Sequence, residues 1–210
     1  MTRRQVVHLM ESRLDEAAAA LTAAFMDDPL QSHTFPDSDE RRRLSPPHFA
    51  ALLRYGLLAG EVLTSVEPGG GAAVWLPPGV AHTDAMLEAS GLSRLGALIG
   101  DGAARRFGRV IDFVEPLHHE AMPEPHWYVM VVGVAPAFQG QGLGRALLQT
   151  HLDRAEADGV PCYLETTQPR NVTFYQRLGF RVLREVVEPE SGLRIWTFRK
   201  ANVPLPAVLS

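Results

Sequence analysis

The sequence predicts a mixed α/β fold in which helices flank one sheet whose strands run in both directions. Three observations carry that prediction. Residues 61–76 and 180–200 each read as two apolar runs joined by a turn, Glu67–Gly71 in the first and "PESG" in the second, the pattern of β-hairpins. Between them, residues 126–166 read as strand, glycine loop, helix and strand. A purely parallel, doubly wound sheet cannot contain hairpins, so the sheet has mixed direction. With 46% hydrophobic and 21% charged residues, the 210-residue chain can bury one generous core.

The elements follow in order. "QVVHLM" (5–10) is short and β-branched, a first strand, and "DEAAAALTAAFMDD" (15–28) is an alanine-rich helix with acidic residues at its front, ended by Pro29. The polar segment between Pro36 and Pro47 reads as a loop, and "PHFAALLRYGLLAG" (47–60) as a helix with proline in its first turn. After the hairpin strands 61–66 and 72–76, residues 83–100 and 103–113 have apolar residues at helical intervals, broken at Gly100–Gly102. "EPLHHEAMPEP" (115–125), with three prolines, reads as a loop, and "HWYVMVVGV" (126–134) as an almost unbroken apolar strand at the sheet's centre. A helix over about 142–158 stops at Gly159, followed by the strand "CYLET" (162–166) and a short helix within 169–180 that closes at Gly179. Strands 180–188 and 193–200 complete the sheet, and residues 201–210 form a tail.

Charge and cysteine usage exclude several classes. A net charge of −4 offers no broad basic surface for nucleic acid, and the run Arg41–Arg43 follows Asp37, Asp39 and Glu40 as a solvated charged segment would. Cys162 stands alone, so no intramolecular disulfide and no cysteine zinc site can form, which fits a reducing compartment. No apolar span approaches the ~20 residues that cross a bilayer, so a soluble, cytoplasmic protein is expected, with neither membrane nor nucleic acid as partner. His118, His119 and Glu120 lack a third ligand at helical spacing, so no metal is expected. Oligomeric state, a homodimer included, stays open because no heptad pattern marks an interface.

The stretch "VAPAFQGQGLGRALL" (134–148) carries the chemistry. A glycine-rich turn between strand and helix lets backbone N–H groups converge on an anion, and the helix N-terminus adds partial positive charge. The nucleoside triphosphate loop requires a lysine and a hydroxyl that are absent here. The dinucleotide pattern fits in part: Gly140 and Gly142 match, Arg145 stands where the third glycine belongs, yet Glu165 lies about twenty residues on, where a ribose-binding acid sits. The third pattern is Q-x-x-G-x-G, here Gln139-Gly140-Gln141-Gly142-Leu143-Gly144.

On these residues, and on "GVPCYLETTQPRNVTFYQRLGF" (159–180), the chain resembles the GNAT superfamily of acetyl-coenzyme A-dependent N-acetyltransferases. With "AAFMDDPL" added, it is similar more narrowly to the puromycin N-acetyltransferase group, most closely over 126–180 and loosely over 30–115. The resemblance implies a single domain over 1–200, with a mostly antiparallel sheet of about seven strands and a splayed central pair. It implies acetyl-CoA as cosubstrate, with Val132, Gly133 and Val134 presenting backbone groups to the pantetheine arm. The loop Gln139, Gly140, Gln141, Gly142, Leu143, Gly144 and Arg145 would hold the pyrophosphate. It further implies Tyr175 as general acid, and Asn171 as a cofactor contact where the residues alone suggest an N-cap.

Acetyl transfer to an amine needs a neutral nucleophile, oxyanion stabilisation and a proton for the leaving thiolate. Glu165, at a strand end, is the candidate base, a surface glutamate or partner of Arg170 being the plainer reading. His118 and Tyr128 are candidates to line the acceptor site, Tyr128 otherwise packing in the core. Asp28, at the unfavourable end of the first helix's dipole, is a candidate to attract a cationic amine, or else a turn residue before Pro29. The expected activity is direct acetyl transfer to a primary amine of a small molecule. A nicotinamide-dependent oxidoreductase using Gly140, Gly142 and Glu165, or a non-catalytic acyl-CoA sensor, are the alternatives.

Overall fold

The computed structural model describes residues 5–201, so most of the predicted tail lies outside the described residues. The chain runs β1 (Val6–His8), α1 (Leu14–Phe25), α2 (Pro29–Thr34), α3 (Ser38–Ala59), β2 (Glu61–Ser65), β3 (Gly71–Leu76) and α4 (Asp84–Ser90). It continues through α5 (Leu95–Ile99), α6 (Asp101–Ala121), β4 (Trp127–Val134), α7 (Leu143–Ala157), β5 (Cys162–Thr166), α8 (Arg170–Arg177), β6 (Arg181–Val187) and β7 (Arg194–Lys200). The seven strands form one sheet in the order β1-β2-β3-β4-β5-β7-β6. Every neighbouring pair is antiparallel except β4 with β5. Both predicted hairpins are present, and the expected mixed sheet of seven strands is the fold observed.

Apolar layers cover both faces. On one, Leu143, Leu147, Leu148 and Leu152 of α7 and Tyr175 of α8 pack against Trp75, Trp127, Leu164 and Phe198. On the other, Leu14, Ala17, Ala18 and Leu21 of α1 and Phe49, Leu53 and Tyr55 of α3 pack against Val62, Ala72 and Val74.

Two segments read as loops are helical. α3 begins at Ser38, not at Pro47, because the Asp37 carboxylate accepts hydrogen bonds from the Asp39 and Glu40 amides at 2.9 and 2.8 Å, a strong N-cap. Pro46 and Pro47 lie inside that helix and remove the N–H partners of the Arg42 and Arg43 carbonyls, both on exposed residues where water can take over. α6 likewise runs through Pro116 to Ala121, and the carbonyl that Pro116 leaves unpaired belongs to exposed Asp112. The first long helix ends earlier than expected, at Phe25, and Pro29 opens α2 as its first residue instead of ending α1.

β4 positions everything that follows. Its pairing with β3 slips once, Val129 facing Trp75 and Val131 facing Val74, which leaves Met130 as an extra residue. The slip reverses the side-chain alternation. Trp127 and Val129, then Val132 and Val134, point toward α7, whereas Tyr128, Met130 and Val131 point toward α1 and α3. Gly133 faces α1 so closely that a Cβ there would lie 2.7 Å from Phe25 and 2.9 Å from Leu21.

Candidate active site

β4 and β5 pair in parallel at Trp127–Cys162 and Tyr128–Tyr163 and then diverge, leaving a gap in the middle of the sheet along Val129–Val134. The Trp127 amide donates to Pro161 on the β5 side, and the Ala135 amide donates to Gly70 on the β3 side. With the one-residue slip at Met130, alternation between those two points turns the N–H groups of Val132 and Val134 into the gap. The Val134 carbonyl on the same side accepts a hydrogen bond from the Gln139 amide at 2.9 Å. Gln139 thus folds the glycine loop back against the strand it leaves.

The loop beyond is open. Gly140 and Gly142 adopt φ of 72° and 81°, and an added Cβ at either would meet nothing within 4 Å. Gly142 caps α7, whose Leu143, Gly144 and Arg145 amides precede the first intrahelical bond, from Ala146 to the Gly142 carbonyl. Gly144 is packed instead, its virtual Cβ 3.4 Å from Phe174 of α8. The Gln141 side chain donates to the Ala137 carbonyl and the Arg145 guanidinium to Gln149. The open glycine turn, the free helix N-terminus and the adjoining strand amides fit a pyrophosphate followed by an amide-bearing arm.

Across the gap stands a cluster of mostly buried polar side chains. Tyr163 and Glu165, two apart on β5, point to the same face, and Tyr128 on β4 is in register with Tyr163. The Tyr128 hydroxyl donates to Glu165 Oε1 at 3.3 Å. His118 Nδ1 lies 4.0 Å from the same oxygen, and its ring stacks on Tyr163 with centroids 4.0 Å apart. Burial dominates here: it pushes the Glu165 carboxyl up to about 8, against the hydrogen bond from Tyr128, and holds His118 down to about 3, helped by the neighbouring histidines. His118 reaches this cluster from the last turns of α6, not from the loop expected there.

Tyr175 enters from the other face. It is buried between Phe180 and Phe198, and its phenol is raised by burial and by the fields of Asp28 and Glu165. It therefore keeps its proton across the whole neutral range. Asp28 is the N-cap of α2, not the end of α1: Oδ1 accepts from the Leu30 and Gln31 amides and from the Thr167 hydroxyl at 3.2 Å. Burial raises it, and Arg170 opposes that rise, so Arg170 faces Asp28 and not the Glu165 partner role considered for it. Asn171 is the second residue of α8, not its N-cap, and donates to Thr166 Oγ1 at 3.3 Å, tying the helix to the end of β5.

Several residues of this cluster carry no motif. Tyr163 could have been found from its i, i+2 relation to Glu165. His126, whose ring lies 2.7 Å from His118, and His82, which pairs with the Tyr55 hydroxyl, are brought in only by the packing of α3 and α6. Among the described residues no group of three or more His, Cys, Asp or Glu side chains could hold a metal ion, and no helix is long and apolar enough to cross a membrane.

The acetyltransferase (GNAT) family profile matches residues 79–180. An uncharacterised N-acetyltransferase of Schizosaccharomyces pombe is 30% identical over 172 residues, covering 79% of this chain and 69% of that protein. The chain belongs to the GNAT acetyltransferase family. A mycothiol acetyltransferase of Renibacterium salmoninarum is 40% identical over 68 residues, only 31% of this chain and 19% of that enzyme. A crystallised acetyltransferase of Corynebacterium glutamicum superposes with a TM-score of 0.72 at 24% identity over 99% of this chain and 100% of its own, a likeness of fold. As a GNAT acetyltransferase the chain is an enzyme of acyl transfer, and acetyl-CoA use is general in that family. The one parallel unit, β4–α7–β5, is flanked by antiparallel neighbours on both sides, so the oxidoreductase alternative lacks the extended parallel sheet of a dinucleotide-binding fold.

Proposed function

We propose that this GNAT protein transfers the acetyl group of acetyl-CoA directly to a primary amine of a small molecule, in the cytoplasm, with neither nucleic acid nor membrane as partner. The observation that carries this reading is the placement of an open glycine turn and unpaired strand amides on one side of the β4–β5 gap and a buried carboxyl on the other. In this reading the loop from Gln139 to Arg145 holds the pyrophosphate with its backbone amides from Gly140 onward, the Gln139 side chain shaping the loop through Val134. The Val132 and Val134 backbone meets the pantetheine arm, Gly133 letting α1 pack closely behind that segment, and Asn171 borders the arm from α8. Acetyl-CoA supplies the activated thioester.

The residues of the chain then do three things. Glu165 takes a proton from the incoming ammonium, freeing the nitrogen lone pair; a carboxyl raised to about 8 is a stronger base than an ordinary one once ionised. Strand N–H groups at the gap stabilise charge on the thioester oxygen. Tyr175 donates its proton to the departing thiolate. Asp28, His118 and Tyr128 line the acceptor side, and Asp28 adds a negative field that favours a cation. Cys162 is fully buried in the core, which supports direct transfer and not an acetyl-cysteine intermediate.

Purified protein incubated with acetyl-CoA and panels of amines, puromycin, amino acids and polyamines among them, should release free thiol with at least one acceptor. Puromycin is included because the narrower resemblance over 126–180 points to that group. Cofactor binding without thiol release on every amine tested supports the sensor alternative instead.

A further inference from the structure

We propose that His126 is a positioning residue: it locks His118 in the tautomer that turns a bare nitrogen toward Glu165, and so keeps that carboxylate a strong base. The proposal rests on the reading of Glu165 as the base. Three contacts link His126 to Glu165. His126 Nδ1 lies 2.7 Å from the Glu124 carbonyl oxygen, which can only accept, so Nδ1 carries the hydrogen. A neutral ring then has a bare Nε2. That nitrogen lies 2.7 Å from His118 Nε2, so His118 must carry its hydrogen there and donate it. What remains toward Glu165 Oε1, at 4.0 Å, is the unprotonated Nδ1 of His118.

The ring cannot swing away easily. It stacks on Tyr163 at an interplanar angle of 11° and leans on Tyr128 with centroids 4.6 Å apart. Burial above all disfavours its charged form, and His126 ahead of β4, His119 on α6 itself and His82 on the loop after β3 add like charge when protonated. His126 is held neutral by burial with His119 and Arg199, against Glu124. Two neutral rings make the tautomer argument binding.

The consequence falls on Glu165. Its ionised form has the Tyr128 hydroxyl, 3.3 Å away, and its own backbone amide as donors, and faces a lone pair on the His118 side. Were His118 to carry its hydrogen on Nδ1, a soft rotation of the carboxylate would bring that N–H to Oε1 as a further donor, stabilising the charged form and weakening the base. No proton needs to travel along the histidine pair. Its role is to withhold a donor.

The test is the acid limb of the pH dependence of kcat, measured with an acceptor found in the amine panel. In the unaltered enzyme the limb should lie near 8, and Glu165→Gln should abolish it along with most activity. His126→Phe removes the acceptor for the His118 hydrogen, so His118 can turn its N–H to Glu165. The limb should then fall by about 1 to 2 pH units, the worth of a hydrogen bond to a carboxylate, and the plateau rate should fall with it. His126→Gln, whose side-chain oxygen can still accept, should restore the limb to near 8. A limb that disappears in Glu165→Gln but is unmoved in His126→Phe overturns the tautomer lock and leaves the base reading intact. A limb that persists in Glu165→Gln overturns the base reading itself. Should His126→Phe fold poorly, nitrogen-15 NMR of the unaltered protein decides: hydrogen on His118 Nε2 supports the lock, and hydrogen on Nδ1 overturns it.

Discussion

Glu165→Gln is expected to make the protein more stable and much less active, with the stability gain growing as pH rises. An exposed carboxyl titrates near 4.5, whereas burial pushes that of Glu165 up to about 8. A raised carboxyl contributes stability in full below about 4.5, where both folded and unfolded chains are protonated, and loses it as pH climbs through about 8, because the unfolded chain ionises first. At about 1.36 kcal/mol per pH unit, the loss between pH 5 and 8 is about 4 kcal/mol, and above 8 it levels off. Glutamine keeps the shape and titrates nowhere. The gap between variant and unaltered protein, from urea or guanidinium unfolding at several pH values, should therefore widen by about 4 kcal/mol from pH 5 to 9. A gap that changes by less than about 1 kcal/mol over that range would mean that the carboxyl stays solvated and ionised, and would remove the reason to regard it as a tuned base.

Two further outcomes follow from the geometry. Tyr175→Phe keeps the buried ring against Phe180 and Phe198 and deletes only the hydroxyl, so kcat should fall by about 10²- to 10⁴-fold while acetyl-CoA affinity, read by calorimetry, changes little; an unchanged kcat removes Tyr175 as the acid. Gly133→Ala drives a methyl to within 2.7 Å of Phe25 and 2.9 Å of Leu21, so it should cost about 1–3 kcal/mol in denaturant unfolding by overpacking. A neutral result there means that α1 can shift outward.

The strands and the hairpins were legible because their signals are local: an apolar run, a glycine turn, a second run. The glycine loop was legible for the same reason, and so were Glu165 and Tyr175, which stand in a contiguous segment. What escaped were the helices around Pro46, Pro47 and Pro116. A proline breaks a helix only when its neighbours cannot absorb the freed carbonyl, and at Arg42, Arg43 and Asp112 solvent exposure, which no local pattern reports, allows it. That one error placed His118 on a loop, and it hid His126, since the pairing of the two rings depends on where α6 ends. Asp28 does not end the first helix, as its place before Pro29 suggests: α1 stops three residues earlier, and Asp28 is the N-cap of α2.

The divergence of β4 from β5 gives a physical reason for the proposed placement of the chemistry at this point of the sheet. Parting the strands leaves backbone N–H groups without ladder partners in an otherwise buried place, a cost that proteins seldom accept without a use for them. The fold offsets part of it internally, through Gln139 on the Val134 carbonyl, and leaves the Val132 and Val134 amides for something else to satisfy. The same parting ends the parallel pairing at Tyr128–Tyr163, so Glu165 lies two residues past the last paired position, deep enough to lose water yet next to the opening. Covering that carboxyl requires the last turns of α6, and α6 reaches it only because Pro116 does not stop the helix. Had the helix stopped at Glu115, His118 would neither stack on Tyr163 nor lie 4.0 Å from Glu165. In the proposed reading the open side of the gap takes the cosubstrate and the covered side tunes the base, and a single departure of two strands produces both.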